Sequence, residues 1–557
     1  MAGYFDGVTY TFCPTLADLV DKIVTKRNRS RVIFAHNGGR FDFYHLMEYL
    51  RSVRGVEVKM IVQGSRIVAL KIRHGKQWIT LQDSISLFGA SSPQSLDKLC
   101  DTFKPATRKM RGAIDFEKER VDKGNPLHRD YLEADCRSLW EILDKYRRLP
   151  YIDRIGFKVT VASTAMAAWR TTLKDPIRVT STSVQEFCRE AYAGGRVEIF
   201  RQVMGSGACY DKNSLFPAMM LRELPVERKR ASNNWEEFGF HDVTVEVPEC
   251  YIPILWKKTP KLIFPTGTFR GTFFSEELKL AVECGARILR HHRGEHFSSS
   301  PDLFRELVES CYRLRLDNPG TSLDLLGKMI ANNVYGKTGE REEKKGLEKV
   351  DPGRPSTWPK EFRAWHSEEM FQKTGLVEIV KRVRHPHMLV HIAAAVTAHA
   401  RVEMARTMLL PYQDSIRYTD TDSGFVARED LPTSTALGEW KREYLIKRGF
   451  FLLPKGYWIE IPERDENNFR KFGGKIIKLK GFSKRAFDSI TYKMFRSGNI
   501  SHTEEKLVGF RTALLRKNSY LAVLPVKKSV ISQYSKRKIL AGGETRPWDL
   551  TTEGKLR

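Results

Sequence analysis

Three short stretches of this 557-residue sequence hold residue types that could do chemistry together. Tyr418-Thr419-Asp420-Thr421-Asp422-Ser423 sets two carboxylates at i and i+2, the spacing that puts side chains on one side of a strand, and like charges so close call for a cation. Ala208-Cys209-Tyr210-Asp211 ends an apolar run on a third carboxylate. The turn that follows, Lys212-Asn213-Ser214-Leu215-Phe216-Pro217, leaves backbone N–H groups free for phosphate oxygens. Between these stretches, Lys328, Asn332 and Tyr335 fall at i, i+4 and i+7 of a helix-forming segment, one face, while Leu325, Leu326, Met329 and Ile330 supply an apolar side. Arg313 and Arg315 sit just before the helix stop Asn318-Pro319-Gly320, so antiparallel pairing brings their guanidinium groups to about the level of Lys328. That cationic wall suits a triphosphate. Taken singly, each stretch also fits an ordinary acidic turn or a solvated helix face. Taken together they describe two-metal phosphoryl transfer, because Mg²⁺ takes hard oxygen ligands and a metal pair can activate a hydroxyl and stabilise a leaving pyrophosphate.

The elements that must position these residues can be read from punctuation. Ser300-Pro301 predicts the start of a helix over Asp302–Leu316, and a second helix is expected from about Ser322 to Val334, with Gly336 as its stop. Residues 1–150 mix short apolar runs (31–35, 61–70, 78–81) with the helical stretch Tyr131–Tyr146, a mixed α/β domain. Helices are expected to dominate residues 151–464, interrupted by strands at Gly207–Asp211 and Ile416–Val426, and residues 465–557 form a basic C-terminal region. Over Lys471–Arg557, 20 Lys and Arg face 6 Asp and Glu, a net +14, against +27 for the whole chain. Such a field suits a polyanion, nucleic acid ahead of an anionic membrane. No window approaches a membrane span, Met1–Asp6 lacks the regions of a secretory signal, and the eight cysteines form no CxxC pair. A soluble intracellular protein with reduced, mostly buried cysteines is expected, in the host cytoplasm with organelle and nucleus left open.

DKNSLFP at Asp211–Pro217, KMIANNVYG at Lys328–Gly336 and YTDTDS at Tyr418–Ser423 resemble motifs A, B and C of the family B DNA polymerases, in the family's order. The resemblance implies an α/β multidomain right hand of palm, fingers and thumb, with an N-terminal RNase H-like exonuclease domain. It implies two Mg²⁺, with Mn²⁺ as a substitute, held chiefly by Asp211 and Asp422 with Asp420 beside them. Lys328 and one of Arg313 or Arg315 would hold the incoming dNTP, Asn332 and Tyr335 would line the nascent pair, and Ser214, Leu215 and Phe216 would shape the nucleotide site. Phe216 stands where the family places a steric gate against a 2′-hydroxyl. Tyr192-Ala193-Gly194-Gly195-Arg196 resembles the template-binding YxGG motif, and Lys478-Leu479-Lys480-Gly481 a primer-gripping motif whose lysines share a strand face. Edge-strand lysines are the other reading of the latter.

Upstream, His36-Asn37-Gly38-Gly39-Arg40-Phe41-Asp42 resembles Exo II and Tyr131-Leu132-Glu133-Ala134-Asp135 resembles Exo III of the 3′–5′ exonuclease, implying roles for Asn37, Phe41, Asp42, Tyr131 and Asp135. The DxE of Exo I should precede Asn37, yet Asp6, Asp18 and Asp21 are the only acids before Asp42. The chain is therefore expected to begin just after Exo I, as a truncated or misannotated start or as a naturally reduced domain. Around motifs A, B and C the sequence is most similar to the protein-primed polymerases of phages, adenoviruses and linear plasmids. The charged segment Lys337–His385, with Pro352, Pro355 and Pro359, matches that subgroup's extra loop. The implied partners are primer-template DNA, dNTPs and a terminal-protein primer, with a monomer expected. Two other readings stand beside this one: a non-catalytic DNA-binding scaffold on a polymerase fold, and an RNA-synthesising or reverse-transcribing palm enzyme.

Overall fold

The computed structural model describes the chain except residues 54–55, 64–65, 75–76, 90–93, 116–118, 342, 351–352, 354–362, 365–370, 373–374, 383–386, 463–473, 508–522, 531–533 and 551–557. Strands β1 (Ala2–Phe5) and β2 (Tyr10–Cys13) make a hairpin of their own. Alternating apolar residues then build β4 (Val56–Gln63), β5 (Arg66–His74) and β6 (Gln77–Asp83), with β3 (Val32–Ala35) parallel to β6 at the sheet's end. Their inner face (Val58, Met60, Ile72, Ile79) packs on Phe43, Leu46, Met47 and Leu50 of helix Asp42–Ser52. Among the described residues β1 pairs only with β2 and β3 only with β6. A cavity of about 1800 Å³ opens between these two strands, reaching helix Pro126–Tyr146.

The centre of the chain is strand-rich, a departure from the expected dominance of helices. Local signals for short, bulged strands are weak, and tertiary pairing decides them. One sheet runs in the order β21-β9-β20-β19-β7, from β7 (Val197–Ile199), β9 (Gly207–Lys212), β19 (Ile416–Asp420), β20 (Ser423–Val426) and β21 (Trp440–Ile446). The other runs β10-β15-β11-β14-β29, from β10 (Leu224–Ser232), β11 (Gly239–Val247), β14 (Thr266–Phe274), β15 (Arg287–Ser300) and β29 (Asp549–Leu550). The alanine-rich helix Val390–Met404 is buried along most of its length, its small side chains letting neighbours approach closely.

The helix hairpin forms with altered ends. Its first helix spans Arg305–Asp317, because β15 continues through Ser300, and its second, Ser322–Thr338, runs through Gly336 instead of stopping there. A helical glycine costs about 1 kcal/mol, and the buried Val334 and Thr338 on either side hold the last turn. Beyond it, β16 (Glu343–Lys349), β17 (Arg363–Ala364) and β18 (Leu376–Arg382) join the N-terminal sheet through a β16–β4 pairing. Pro352, Pro355 and Pro359 lie outside the described residues.

Strands β22 (Arg448–Leu453), β23 (Gly456–Glu460) and β24 (Lys475–Leu479) pair in turn, with β8 (Val203–Met204) at the edge. Three hairpins complete the set: β12 (Lys257–Lys258) with β13 (Leu262–Ile263), β25 (Ser501–Leu507) with β26 (Val523–Ser529), and β27 (Lys538–Ile539) with β28 (Thr545–Arg546). Among the described residues no helix is long and apolar enough to cross a membrane.

Candidate active site

Strand β9 and the β19–β20 hairpin are neighbours, and their register brings the acidic stretches together: Ser423 lies opposite both Asp420 and Asp211. Asp420 ends β19, Thr421 and Asp422 make a two-residue turn, and Ser423 opens β20. The i, i+2 carboxylates therefore do not share a strand face. Thr421 takes φ 67°, and the chain reverses between them. Asp422 faces Asp211, and its carbonyl accepts the Lys212 N–H at 2.8 Å. Burial, then the neighbouring Asp422 charge, pushes the Asp211 carboxyl up to about 7; burial raises Asp422 as well. A cation between them would relieve both terms.

Asp420 turns the other way, to Lys455 Nζ at 2.7 Å, and accepts from the Tyr418 hydroxyl at 3.4 Å. On β21, Lys441 stands opposite Asp211, its Nζ 3.3 Å from Asp211 Oδ2 and 2.7 Å from Glu443 Oε1. Lys441, Glu443 and Lys455 escaped the sequence reading. The signal available for Lys455 was its place in Pro454-Lys455-Gly456, a tight turn where it takes φ 59°. Among the described residues no group of three His, Cys, Asp or Glu stands ready-made for a metal, and lysines contact Asp211 and Asp420.

On the nucleotide side, Lys328 is exposed and its charge reaches Asp422. Phe216 stacks on Tyr335 with ring centroids 5.0 Å apart. Asn332 donates its Nδ2 to the Lys328 carbonyl at 2.8 Å. The expected arginine wall is only half present. Arg315 donates to Asp324 at 3.0 Å and to Ser214 Oγ at 2.5 Å, tying the helix hairpin to the turn after Asp211, while Arg313 stays exposed. The Leu215 side chain lies in the core, so that residue can offer an anion only its backbone.

The stretch expected to bind template, Tyr192–Arg196, needs one correction. Arg196 is buried, donating to Glu198 Oε2 at 2.9 and 2.7 Å and to the Pro253 carbonyl at 2.7 Å, so its guanidinium is closed to DNA. A Cβ on Gly195 would lie 2.6 Å from Thr421 Cγ2, so that glycine lets the carboxylate turn pack. Gly194 has open space around it, and Tyr192 packs against Gly339. In β24, Lys478 is exposed between buried Ile477 and Leu479, and Lys480, just past the strand's end, is exposed too.

In the N-terminal domain, Asp42 and Asp135 both line the large cavity, and burial raises both carboxyls. Asn37 takes φ 62°, and Phe41 is partly exposed. Tyr131 and Asp135 do share a helix face, met by Lys109, which is 2.7 Å from Asp135 and 4.5 Å from the Tyr131 ring centroid. Lys109 also escaped the sequence reading, since nothing local marks it.

Comparison with known proteins follows these features. The profile described as DNA polymerase type B, organellar and viral, matches residues 111–353. A probable DNA polymerase of Podospora anserina is 29% identical over 410 residues, 65% of this chain and 34% of its own length. The DNA polymerase of Bacillus phage phi29 is 23% identical over 451 residues, 73% of this chain and 74% of that one. This chain spans only 34% and 43% of two of its fungal relatives, those of Podospora anserina and Ascobolus immersus. The solved structure of phi29 DNA polymerase complexed with primer-template DNA and incoming nucleotide matches with a TM-score of 0.75 at 19% identity, over 94% of this chain and 95% of that one. The chain resembles the family B DNA polymerases, and among them the protein-primed phage type. Its fold is their α/β palm, fingers and thumb.

Proposed function

We propose that this chain is a template-directed DNA polymerase that adds dNTPs to a primer 3′-hydroxyl, in the replication of a viral or plasmid-type genome. The observation that carries this reading is the meeting of Asp211 and Asp422, from segments some two hundred residues apart, with their charges in mutual repulsion and Lys328 within electrostatic reach. Asp211 and Asp422 would hold two Mg²⁺, or Mn²⁺, with Asp420 beside them once Lys455 is displaced. Bound metals supply charge neutralisation at the attacking hydroxyl and the leaving pyrophosphate. The protein's own groups do the positioning: Lys328 grips triphosphate oxygens, and Phe216 backed by Tyr335 walls the sugar. Primer-template DNA and dNTPs are the partners, with a terminal protein as primer. Primer extension with dNTPs against rNTPs tests this. Asp211→Ala or Asp422→Ala should abolish addition while DNA binding persists; undiminished turnover in either would remove the two-metal assignment. DNA binding without incorporation by the wild type would favour the scaffold reading.

We also propose that 3′–5′ excision by residues 1–557 is weak. Asp42 and Asp135 are the acids the Exo II and Exo III resemblances supply; Asp6 and Asp97 line the same cavity, but no DxE precedes Asn37 and among the described residues no three acids come together there. A hydrolytic two-metal site needs more carboxylate than this.

A further inference from the structure

The carboxylate sheet brings one more charged pair to Asp211, and neither member belongs to the stretches that carry the family resemblance. Strand β21 lies at the end of that sheet, antiparallel to β9, with Lys441 opposite Asp211. The register slips between Arg442 and Tyr444, which leaves Glu443 as the extra residue of a bulge, the kind of irregularity that re-aims a side chain. Glu443 turns to the lysine: Lys441 Nζ is 2.7 Å from Glu443 Oε1 and 3.3 Å from Asp211 Oδ2. One ammonium thus bridges two carboxylates and stands nearer to Glu443. A lysine placed only to pair with a strand neighbour needs one carboxylate; this one has a second within reach, and the first is a residue on which metal chemistry would depend. Asp422 and Glu443 both repel the Asp211 charge, and Lys441 offsets part of that repulsion. All three side chains of the bridge remain partly open to water, so a small cation can reach them.

We propose that Lys441 competes with a divalent cation for Asp211, and that Glu443 is the seat that takes the ammonium when the cation prevails. The proposal rests on the polymerase reading, in which Asp211 and Asp422 hold the metals. Lysine suits the part, because its compact charge rides on a flexible stem and rotation about the side chain's own bonds can carry it from Asp211 onto Glu443 with the strand unmoved. A positive charge a few ångströms from a divalent ion weakens that ion's binding. Lys441 therefore lowers the affinity of Asp211 for a cation, and Glu443 restores part of it by drawing the ammonium away. Both are positioning residues that act through Asp211. A carboxylate this close also has the chemistry of a metal ligand, so the experiment separates that role from the one proposed.

Mn²⁺ is titrated against the full chain without nucleotide or DNA, and the free ion is followed by its electron paramagnetic resonance signal; the binding lost in Asp211→Asn is the share of this site. Lys441→Met keeps the reach of the side chain without its charge and should bind Mn²⁺ there roughly tenfold more tightly. Lys441→Arg, which keeps the charge, should stay near the wild type. Glu443→Gln should bind roughly threefold more weakly, because the ammonium then rests on Asp211 alone. In the Lys441→Met background the same change should lose most of its effect, because it acts through the lysine. Equal affinity in Lys441→Met and the wild type overturns the proposal. So does a Glu443→Gln loss that persists at full size in the double variant, which would make Glu443 a ligand. If Asp211→Asn removes no Mn²⁺ binding, the metal reading itself fails and the proposal with it, a distinguishable result.

Discussion

Phe216 and Tyr335 come from different segments and meet ring on ring. In the proposed reading, that stacked pair would wall the place of a nucleotide sugar whose phosphates Lys328 would hold. Phe216→Ala should therefore raise rNTP relative to dNTP incorporation, measured by competitive single-nucleotide addition; an unchanged ratio removes the gate. Arg196 calls for a different expectation from the one its motif suggested. Its guanidinium neutralises the buried Glu198, with Arg537 Nη1 3.5 Å from the same Oε2. Arg196→Met should cost roughly 3 kcal/mol of stability, the low end for breaking a buried pair because Arg537 remains. At temperatures where the variant is folded, DNA affinity and its salt dependence should match the wild type. A changed salt slope would return Arg196 to the DNA surface.

At the scale of elements, β24 is the clearest case of a strand that serves two sides. Its alternation puts Ile477 and Leu479 into the core and leaves Lys478 outside, 5.7 Å from the Tyr457 ring centroid, while Lys480 stands exposed in the turn that follows. Neutralising both should lower primer-template affinity and flatten the plot of log affinity against log salt by up to about two units of slope, since fewer counterions are released. An unaltered slope would leave them as solubility lysines. The β16–β4 pairing acts at the same scale: a segment inserted after the helix hairpin completes the N-terminal sheet, so a strand far along the chain takes part in the first domain's fold.

For the whole molecule, two expectations concern regions far from the carboxylate turn. Half-buried His36 and buried His241 and His391 are each pulled down to about 4 by desolvation. The unfolded chain takes up these protons below about 6.5 and the folded chain does not, so stability falls as pH drops from 6.5 through 4. His391 stacks on Phe297, and His391→Phe should keep that packing while removing one such group. Urea unfolding at pH 7 and pH 5 should show the variant losing less stability than the wild type, on the order of 1 kcal/mol. Equal losses would discount His391. The second expectation is functional: residues 1–557 should extend a matched primer yet remove a mismatched 3′ end only very weakly, and supplying a DxE-bearing strand should restore excision. Vigorous digestion lost in Asp42→Ala would mean that other residues complete that site.

Whereas the apolar run 61–70 is divided between β4 and β5, the residue types and order of the three acidic and basic stretches and the helical periodicity around Lys328 were legible in the sequence, because they depend on spacing along one element. The direction of Asp420, the closure of Arg315 onto Ser214 and Asp324, and the burial of Arg196 were not, because each depends on what a neighbouring segment presents. Lys441 and Lys109 carry no local mark at all, and Lys455 only that of the tight turn it sits in. A lone lysine in a basic chain is unremarkable until strand pairing places it against a carboxylate. Spacing determined which groups could act, and long-range packing alone decided which of them face one another, since charge and hydrogen bonding act over a few ångströms of space whatever the distance along the chain.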